Sequence, residues 1–297
     1  MSLFSYFMCR GMAKSDRKRD AGLTTPEDID RFDNIHYGAD RKYQLLDVYR
    51  PAKEKGRKLP VIVSVHGGAW IYGTKEVYQF YCMSLAQRGF AVVNFSYRLA
   101  PKYKYPAAVE DINSVFNWIL ANADTYGLDT DNLFAVGDSA GAHLLSVYAC
   151  TLTNDSYRKY FNFSPAPEVK LRAIALNCGK YVMDEHFEED KDLEKLVKDI
   201  LPGGGTEEER YKTTPTHFVT EKFPPTFLMT ATGDFLKNQA PLMKACFDSC
   251  GVPYEYKVYG DETNALSHVF HCDMRLADAG ICNDDECGFF RGYVDRE

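Results

Sequence analysis

The segment LFAVGDSAGAHLLSVYA, residues 133–149, constrains the fold of this chain more than any other stretch. An apolar run gives way to a helix-like run at Ser139, and Gly137 and Gly141 stand two positions to either side. Glycines at that spacing relieve crowding around a backbone bent sharply enough to push the serine side chain outward. A strand, a tight turn and a helix in this order are typical of a nucleophilic serine, and the alternative is a serine that caps the helix. The segment therefore makes Ser139 a candidate nucleophile.

Strand-like and helix-like runs alternate along most of the chain. Continuous apolar runs such as PVIVSV and AVVNF are typical of strands that are buried on both faces of a parallel sheet. The clearest helix is predicted over 107–123. Its apolar residues on one face are Val109, Ile112, Val115, Phe116 and Ile119. This alternation predicts a βαβ architecture, an α/β fold with helices on both faces of the sheet. Strands are predicted at 43–49, 61–65, 91–97, 133–136, 171–177, 226–230 and 254–259.

Composition limits the class of protein and its partners. With 297 residues, of which 45% are apolar and 26% charged, the chain has the composition of a soluble globular protein, and we expect one domain. No run reaches transmembrane length, so we expect no stable membrane association. The net charge of -7 argues against a nucleic-acid partner, because phosphate binding needs a concentrated basic surface. The sequence leaves open whether the protein forms a homodimer.

The number and spacing of the cysteines predict whether the protein's compartment is reducing or oxidising. The nine cysteines form no CxxC pair, and their number is odd. Such a pattern is more natural for reduced thiols than for a disulfide framework. We therefore expect a cytoplasmic location.

Two segments stand outside the alternation of strands and helices. The first, MSLFSYFMCR, has its charges after the apolar stretch instead of before it, so we interpret it as an exposed or capping helix. The second lies between Cys178 and Thr226 and contains a predicted acidic helix over 188–200, followed by a glycine-rich break at 203–205. An insertion at such a place is either a lid over a site or a surface elaboration, and the sequence leaves both open.

A glycine-containing loop follows the strand in VIVSVHGGAW. The backbone N–H groups of Gly67, Gly68 and Ala69 can face a cavity there, since these residues are small. Acyl transfer needs such donors, because negative charge develops on the carbonyl oxygen in the transition state. The N–H of Ala140, directly after Ser139, would supply another donor. The alternative interpretation is a plain glycine turn.

A serine nucleophile needs a base, and the base needs an acid that holds its tautomer. Asp234, in TFLMTATGDFL, follows a buried strand by a short turn, which predicts a position at the carboxyl edge of the sheet. His268, in ALSHVFH, lies beyond the last predicted strand, and His271 is its main rival. The order Ser139, Asp234, His268 along the chain is that of α/β-hydrolases.

A zinc site is the weaker alternative for the same region. Its ligands would be Cys246, Cys250, His268, His271 and Cys272. The first two cysteines belong to a helix-like run, LMKACFDSC, that is more typical of a core. We therefore expect no metal and no cofactor.

Three aromatic residues flank the candidate catalytic residues. Trp70 and Tyr72 stand beside the glycine-containing loop, and Phe235 stands beside Asp234. We interpret them as walls of a substrate pocket or as packing residues.

Taken together, the motifs resemble the hormone-sensitive-lipase-like family of α/β-hydrolase esterases. They extend from Leu46 to Tyr293 and include LDVYRP, HGGAW, SYRLAPKYKYPAAVED, GDSAGAH, PPTFLMTATGDFL and SHVF. The resemblance implies a single α/β-hydrolase domain over 1–297, with a mostly parallel sheet flanked by helices. It also implies a helical cap formed by residues 1–33 and 180–222.

The same resemblance assigns roles to individual residues. It implies that Ser139 is the nucleophile, His268 the general base and acid, and Asp234 its orienting partner. The oxyanion donors would come from the backbone of Gly67, Gly68 and Ala69, with Ala140. The sequence departs from the family pattern by reading HGGA for HGGG, GDSAGA for GDSAGG and DFL for DPL. None of these changes removes a catalytic group, so they bear on substrate choice. The YRLAP block suggests a bracing ion pair between Arg98 and Asp111.

The resemblance implies a serine carboxylesterase that hydrolyses short-acyl, acetyl-like esters of small molecules. Two other classes stay open. A serine peptidase or amidase would use the same triad, and a noncatalytic small-molecule-binding relative would share the fold. The presence of His268 argues against the second of these, because relatives that became binding proteins lost the histidine.

Overall fold

A computed structural model describes residues 1–184 and 191–295. The strands, numbered in chain order, are β1 Ile29–His36, β2 Leu45–Pro51, β3 Leu59–Val65, β4 Ala91–Phe95, β5 Leu128–Asp138, β6 Leu171–Asn177, β7 Thr226–Ala231 and β8 Tyr254–Tyr259. The α-helices are α1 Leu3–Asp20, α2 Lys75–Gln87, α3 Ala107–Tyr126, α4 Ala140–Thr153, α5 Asp155–Arg158, α6 Lys191–Ile200, α7 Glu207–Lys212, α8 Gln239–Cys250 and α9 Ala277–Arg291. Within these two ranges, no helix has both the length and the apolar character needed to cross a bilayer.

The strands form one sheet in the order β1-β2-β4-β3-β5-β6-β7-β8. β2 pairs antiparallel with β1 and β4, and the other neighbours pair parallel. The order changes direction at β3, which has β4 on one side and β5 on the other. Ligands bind at such switch points, beyond the carboxyl ends of the strands. The register pairs Val65 with Gly137, so the loops after β3 and β5 leave the sheet side by side.

Helices cover both faces of the sheet. One core lies under α3, α4 and α8, and the other lies under α2 and α9. The five apolar residues predicted on one face of α3 are all fully buried. The predicted α/β architecture, mostly parallel and flanked by helices, is therefore confirmed.

Two helices lie together over the carboxyl edge of the sheet. Asp199 on α6 accepts three hydrogen bonds at Oδ2, from the N–H of Ser2 at 3.0 Å, from Ser2 Oγ at 2.9 Å and from Ser5 Oγ at 2.6 Å. Apolar residues of α6, including Leu196, pack against the loop that follows β3. These contacts hold α1 and α6 above the loops that leave the switch point.

Several predicted boundaries differ from the structure. β2 covers Leu45–Pro51 where 43–49 was predicted, β4 covers Ala91–Phe95 where 91–97 was predicted, and β5 covers Leu128–Asp138 where 133–136 was predicted. Residues 29–33, predicted as part of the cap, lie in β1, because they pair with β2 at the antiparallel edge of the sheet. This strand was missed because half of its residues are exposed and its sequence, IDRFDNIH, lacks an apolar run. The acidic helix predicted over 188–200 occurs as α6 from Lys191, and residues 188–190 lie outside the described residues.

The YRLAP block supplies the predicted bracing ion pair. Arg98 Nη2 lies 2.8 Å from Asp111 Oδ1, and the Arg98 N–H donates to Asp111 Oδ2 at 2.7 Å. Asp111 is fully buried. The pair fastens the chain that follows β4 to α3, and the predicted contact is confirmed.

Candidate active site

Ser139 occupies the turn between β5 and α4, with φ of 55° and ψ of -118°. Residues other than glycine seldom hold a positive φ, and here the N–H of Ser139 donates to the carbonyl of Asn177 at 2.9 Å. The two glycines let the turn close. A Cβ on Gly137 would lie 2.6 Å from the carbonyl oxygen of Gly141, and a Cβ on Gly141 would overlap the carbonyl oxygen of Val65. The glycine spacing seen in the sequence is thus a steric requirement of the turn.

One tyrosine hydroxyl joins this turn to the loop after β3. The N–H of Gly67 donates to Tyr78 Oη at 3.0 Å, and the same hydroxyl donates to Asp138 Oδ2. Asp138 directly precedes Ser139 and is fully buried, and this burial raises the pKa of its carboxyl to about 7. The N–H of Gly67 is thus already paired with Tyr78, which argues against the predicted role of Gly67 as an oxyanion donor.

Left-handed backbone conformations shape the rest of that loop. The φ angle is 114° at Gly68, 51° at Ala69 and 61° at Trp70. Trp70 Nε1 donates to His143 Nδ1 at 3.1 Å, and His143 Nε2 lies 2.7 Å from the carbonyl oxygen of Thr213. Burial lowers the pKa of His143 to about 4, so the neutral ring accepts at Nδ1 and donates at Nε2. The indole is anchored in this way, and the loop keeps its turn although Ala69 replaces glycine.

Asp234 and His268 form a hydrogen-bonded pair, with Asp234 Oδ1 2.7 Å from His268 Nδ1. Thr230 Oγ1 donates to Asp234 Oδ2 at 3.0 Å, and the N–H of Leu236 donates to Oδ1 at 2.8 Å. Burial opposes ionisation of Asp234, but the contact with His268 and the other hydrogen bonds outweigh it and lower the pKa of this carboxyl. An ionised Asp234 favours the proton on His268 Nδ1 and leaves Nε2 available as a base.

A second buried carboxyl stands behind the turn. Glu286 on α9 accepts from Asn177 Nδ2 at 2.6 Å and from Tyr81 Oη at 2.8 Å. It is fully buried, and burial raises the pKa of Glu286 to about 7. The carbonyl of Asn177 accepts a hydrogen bond from the N–H of Ser139. By fixing Asn177, Glu286 therefore supports the backbone of the serine turn.

Two cavities meet at Ser139. The first, which we call the α1 cavity, has a volume of about 350 Å³ and is lined by Ser139, His268 and residues of α1. The second, the α6 cavity, has a volume of about 240 Å³ and is lined by Ser139, Ala140 and residues of α6. The three aromatic residues predicted as pocket walls all line these spaces. Trp70 lines the α6 cavity, Tyr72 lines the α1 cavity, and Phe235 lines both.

The residues drawn as a zinc site are not gathered together. The thiols of Cys246 and Cys250 on α8 donate to the carbonyls of Thr216 and Val219. His271 and Cys272 lie in the core on the opposite face of the sheet. Within the described residues, the groups whose potential ligand atoms lie within 4.8 Å of one another are Asp138 with His271 and Cys272, and Cys178 with Asp234 and His268.

Sequence reasoning missed three side chains that support this site. His143 stands inside the GDSAGAH motif, which is the one signal that could have identified it. Tyr78 and Glu286 stand in helices and carry no motif. Their contacts span 60 residues to Asp138 and 109 residues to Asn177, so only the tertiary structure reveals them.

The sheet order, the serine turn after β5 and the Asp–His pair from the loops after β7 and β8 define an α/β-hydrolase. The sequence is similar to that of versiconal hemiacetal acetate esterase from Dothistroma septosporum, with 29% identity over 71% of this chain and 68% of that protein. Esterase LipC from Mycobacterium tuberculosis is 33% identical over 42% of this chain, and the match spans only 31% of LipC. The structure is similar to that of esterase B from Lactobacillus rhamnosis, with a TM-score of 0.88, 25% identity and coverage of 97% of this chain and 93% of that one.

Residues 46–241 match the family model BD-FAE. The chain belongs to this family of hormone-sensitive-lipase-like α/β-hydrolase esterases, so the resemblance seen in the sequence is confirmed. The family places the chain among the carboxylic ester hydrolases.

Proposed function

We propose that the chain is a serine carboxylesterase in which Ser139, His268 and Asp234 form the catalytic triad. The observation that carries this proposal is the Asp234–His268 hydrogen bond at the wall of the cavity that Ser139 also lines. His268 takes the proton of Ser139 Oγ as this oxygen attacks the ester carbonyl, and then gives that proton to the leaving alcohol. Water next attacks the acyl-enzyme, with His268 as its base, and the products are the carboxylic acid and free Ser139.

The oxyanion donors in this proposal are the N–H groups of Gly68, Ala69 and Ala140. Gly67 belongs to the same loop, but its N–H already donates to Tyr78. Gly68 and Ala69 both line the α1 cavity, and Ala140 is the residue after the nucleophile. Backbone donors held in a fixed loop stabilise the negative charge of the tetrahedral intermediate without reorganising during the reaction.

The position of His268 assigns the two cavities to the two halves of an ester. The leaving alcohol takes its proton from His268, so its oxygen must lie on the histidine side of the scissile carbon. His268 lines the α1 cavity, whereas Ala140 lines the α6 cavity. We therefore assign the alcohol to the α1 cavity and the acyl group to the α6 cavity.

Short acyl groups fit the space in the α6 cavity. Its 240 Å³ are bounded by Trp70, Leu193, Leu196 and Leu236 among the described residues, and this volume lies below the usual range of about 300–1,000 Å³ for ligand pockets. A protein of Salmonella choleraesuis that is named acetyl esterase is 26% identical over 76% of this chain and 70% of that protein. These observations support short-acyl esters as substrates.

Hydrolysis of p-nitrophenyl esters from acetyl to decanoyl by the wild type and by Ser139→Ala tests the proposal. We expect turnover that depends on Ser139 and falls as the acyl chain lengthens. Leu196→Ala should move the optimum to longer chains, since it removes side-chain volume from the α6 cavity, whereas Ile281→Ala on the exposed surface of α9 should leave it unchanged. Absence of Ser139-dependent turnover on every ester, or faster turnover of a matched p-nitroanilide, would contradict the esterase assignment.

We also propose that the chain is a single domain whose cap consists of α1 and the segment 180–222, and that it works in the cytoplasm. The hydrogen bonds from Ser2 and Ser5 to Asp199 support the cap. All nine cysteines are free, which supports a reducing compartment. Cell fractionation tests the location, and recovery in an oxidising compartment would oppose it.

A further inference from the structure

The α1 cavity has a polar wall within an otherwise mostly apolar lining. This wall is formed by Ser15, Asp16 and Arg19 of α1 together with Tyr72. Tyr72 Oη donates to Asp16 Oδ2 at 2.8 Å, and Arg19 Nη1 lies 3.2 Å from Asp16 Oδ1. The remaining lining residues outside the catalytic centre, such as Met12, are mostly apolar. Outside the catalytic centre, the charged side chains that line this space among the described residues are those of Asp16 and Arg19.

The charge of Arg19 is paired mainly with Asp20, a residue that does not line the cavity. Its Nε and Nη2 donate to the two oxygens of Asp20 at 2.7 and 2.8 Å, and Nη2 also donates to the carbonyl of Val77 at 2.6 Å. Only Nη1 reaches Asp16. The two carboxylates and one guanidinium leave one negative charge in excess, and Asp16 is the carboxylate that faces the cavity.

Asp16 has capacity to accept further hydrogen bonds. A carboxylate offers about four lone-pair directions, and the contacts from Tyr72 and Arg19 use two of them. Its side chain is 22% exposed, and desolvation by this partial burial is the main reason why the pKa of Asp16 is raised. A desolvated carboxylate at a cavity wall is stabilised by a ligand that donates hydrogen bonds, and an apolar ligand would remove its remaining water without replacing it.

We propose that the α1 cavity selects esters of polyhydroxylated alcohols, whose free hydroxyl groups donate hydrogen bonds to Asp16. This inference rests on the proposed esterase function, because it assigns the alcohol to the side of His268. It names the leaving alcohol of the same reaction and adds no chemical step. A glycerol-like or sugar-like alcohol presents several hydroxyl donors, so one can meet Asp16 while the ester oxygen stays near His268.

Three butyrate esters with different alcohols test this proposal: glycerol monobutyrate, n-butyl butyrate and butyrylcholine. We expect wild-type kcat/KM to be at least about tenfold higher for the glycerol ester than for the butyl ester, because hydrogen bonds to charged groups are stronger than those between neutral groups. Asp16→Asn should reduce this ratio toward one. Lys14→Gln, on the exposed side of the same helix, should leave it unchanged.

The ratio separates a binding role of Asp16 from a merely structural one, since loss of stability would lower turnover of both esters alike. Should Asp16→Asn fold poorly, Asp16→Ala serves as the second variant and should likewise reduce the ratio toward one. Equal wild-type rates on the glycerol and butyl esters, an unchanged ratio in Asp16→Asn, or a preference for butyrylcholine would each overturn the proposal. Loss of the esterase function itself would look different, as no ester would show turnover that depends on Ser139.

Discussion

Replacing Glu286 by glutamine should change how the stability of the protein depends on pH. Glu286 is fully buried, and burial raises its pKa from the ordinary 4.5 to about 7. Because the folded-state pKa is the higher one, the folded protein binds more protons than the unfolded chain between about pH 4.5 and pH 7. The free energy of unfolding therefore falls as the pH rises through this window, and the loss is complete above it.

The size of the effect follows from the difference between the two pKa values. A difference of roughly 2.5, at about 1.4 kcal/mol per pKa unit, corresponds to about 3 kcal/mol lost by pH 8. Glutamine has nearly the same shape but no charge, so the variant does not carry this penalty. Its Oε1 can accept from Tyr81, and its Nε2 can donate to Asn177 Oδ1 once the Asn177 amide is flipped. That oxygen is buried and has no partner among the described residues.

Urea unfolding of the wild type and Glu286→Gln between pH 5 and pH 8 measures the effect. Asp138 has a pKa raised to about 7, mainly by burial, and is present in both proteins. The charge of Glu286 also contributes to that raised pKa, so the difference between the two curves reports Glu286 together with its coupling to Asp138. We expect that difference to move by about 3 kcal/mol in favour of the variant across this range. Parallel curves would refute the reasoning, because they would mean that Glu286 titrates alike in the folded and unfolded states.

Three further substitutions test the site. Asp234→Asn should lower kcat by about 10⁴-fold, since His268 would hold the wrong tautomer. The thermal unfolding temperature should stay nearly unchanged. Full activity of this variant would refute the role of Asp234 as the acid of the triad. Ala69→Gly should keep esterase activity and raise the free energy of unfolding by about 0–1.6 kcal/mol. Glycine relieves a left-handed alanine that costs about 1–2 kcal/mol, whereas the added flexibility of the unfolded chain lowers stability by about 0.4–1 kcal/mol. A lower melting temperature would contradict this. Trp70→Phe should cost about 1–3 kcal/mol in urea unfolding, as it leaves His143 Nδ1 buried without a donor, and an unchanged midpoint would count against that anchor.

Much of the fold could be predicted because its signals are local. The strand predicted at 171–177 matches β6, the strand predicted at 254–259 matches β8, and the helix predicted from Ala107 begins where the structure places it. β6 is a buried parallel strand, and its continuous apolar run is visible without knowledge of its neighbours. β8 is an edge strand, and its aromatic and β-branched residues are the signal that predicts it. β1 was not predicted because half of its residues are exposed and its sequence, IDRFDNIH, lacks an apolar run, so only its pairing with β2 identifies it.

The candidate triad was also visible in the sequence, although its geometry was not. The glycines that the backbone turn requires identified Ser139 as a candidate. Asp234 was identified by its position after a buried strand. Choosing His268 over His271 rested on resemblance and chain position. The structure pairs His268 with Asp234 and buries His271, where desolvation lowers its pKa to about 3.

The sequence by itself determined most of the strands, the serine turn and the order of the candidate catalytic residues along the chain, because the signals for these features lie within a few positions of one another. Only the tertiary structure decided that Tyr78 accepts a hydrogen bond from the N–H of Gly67. Only the tertiary structure also decided that Asp16 lines the α1 cavity and contacts Tyr72, which is 56 residues away in the chain. Such contacts join side chains whose local sequence has no reason to record the partner. Burial then changes the chemistry of these groups, and burial is a property of the whole fold.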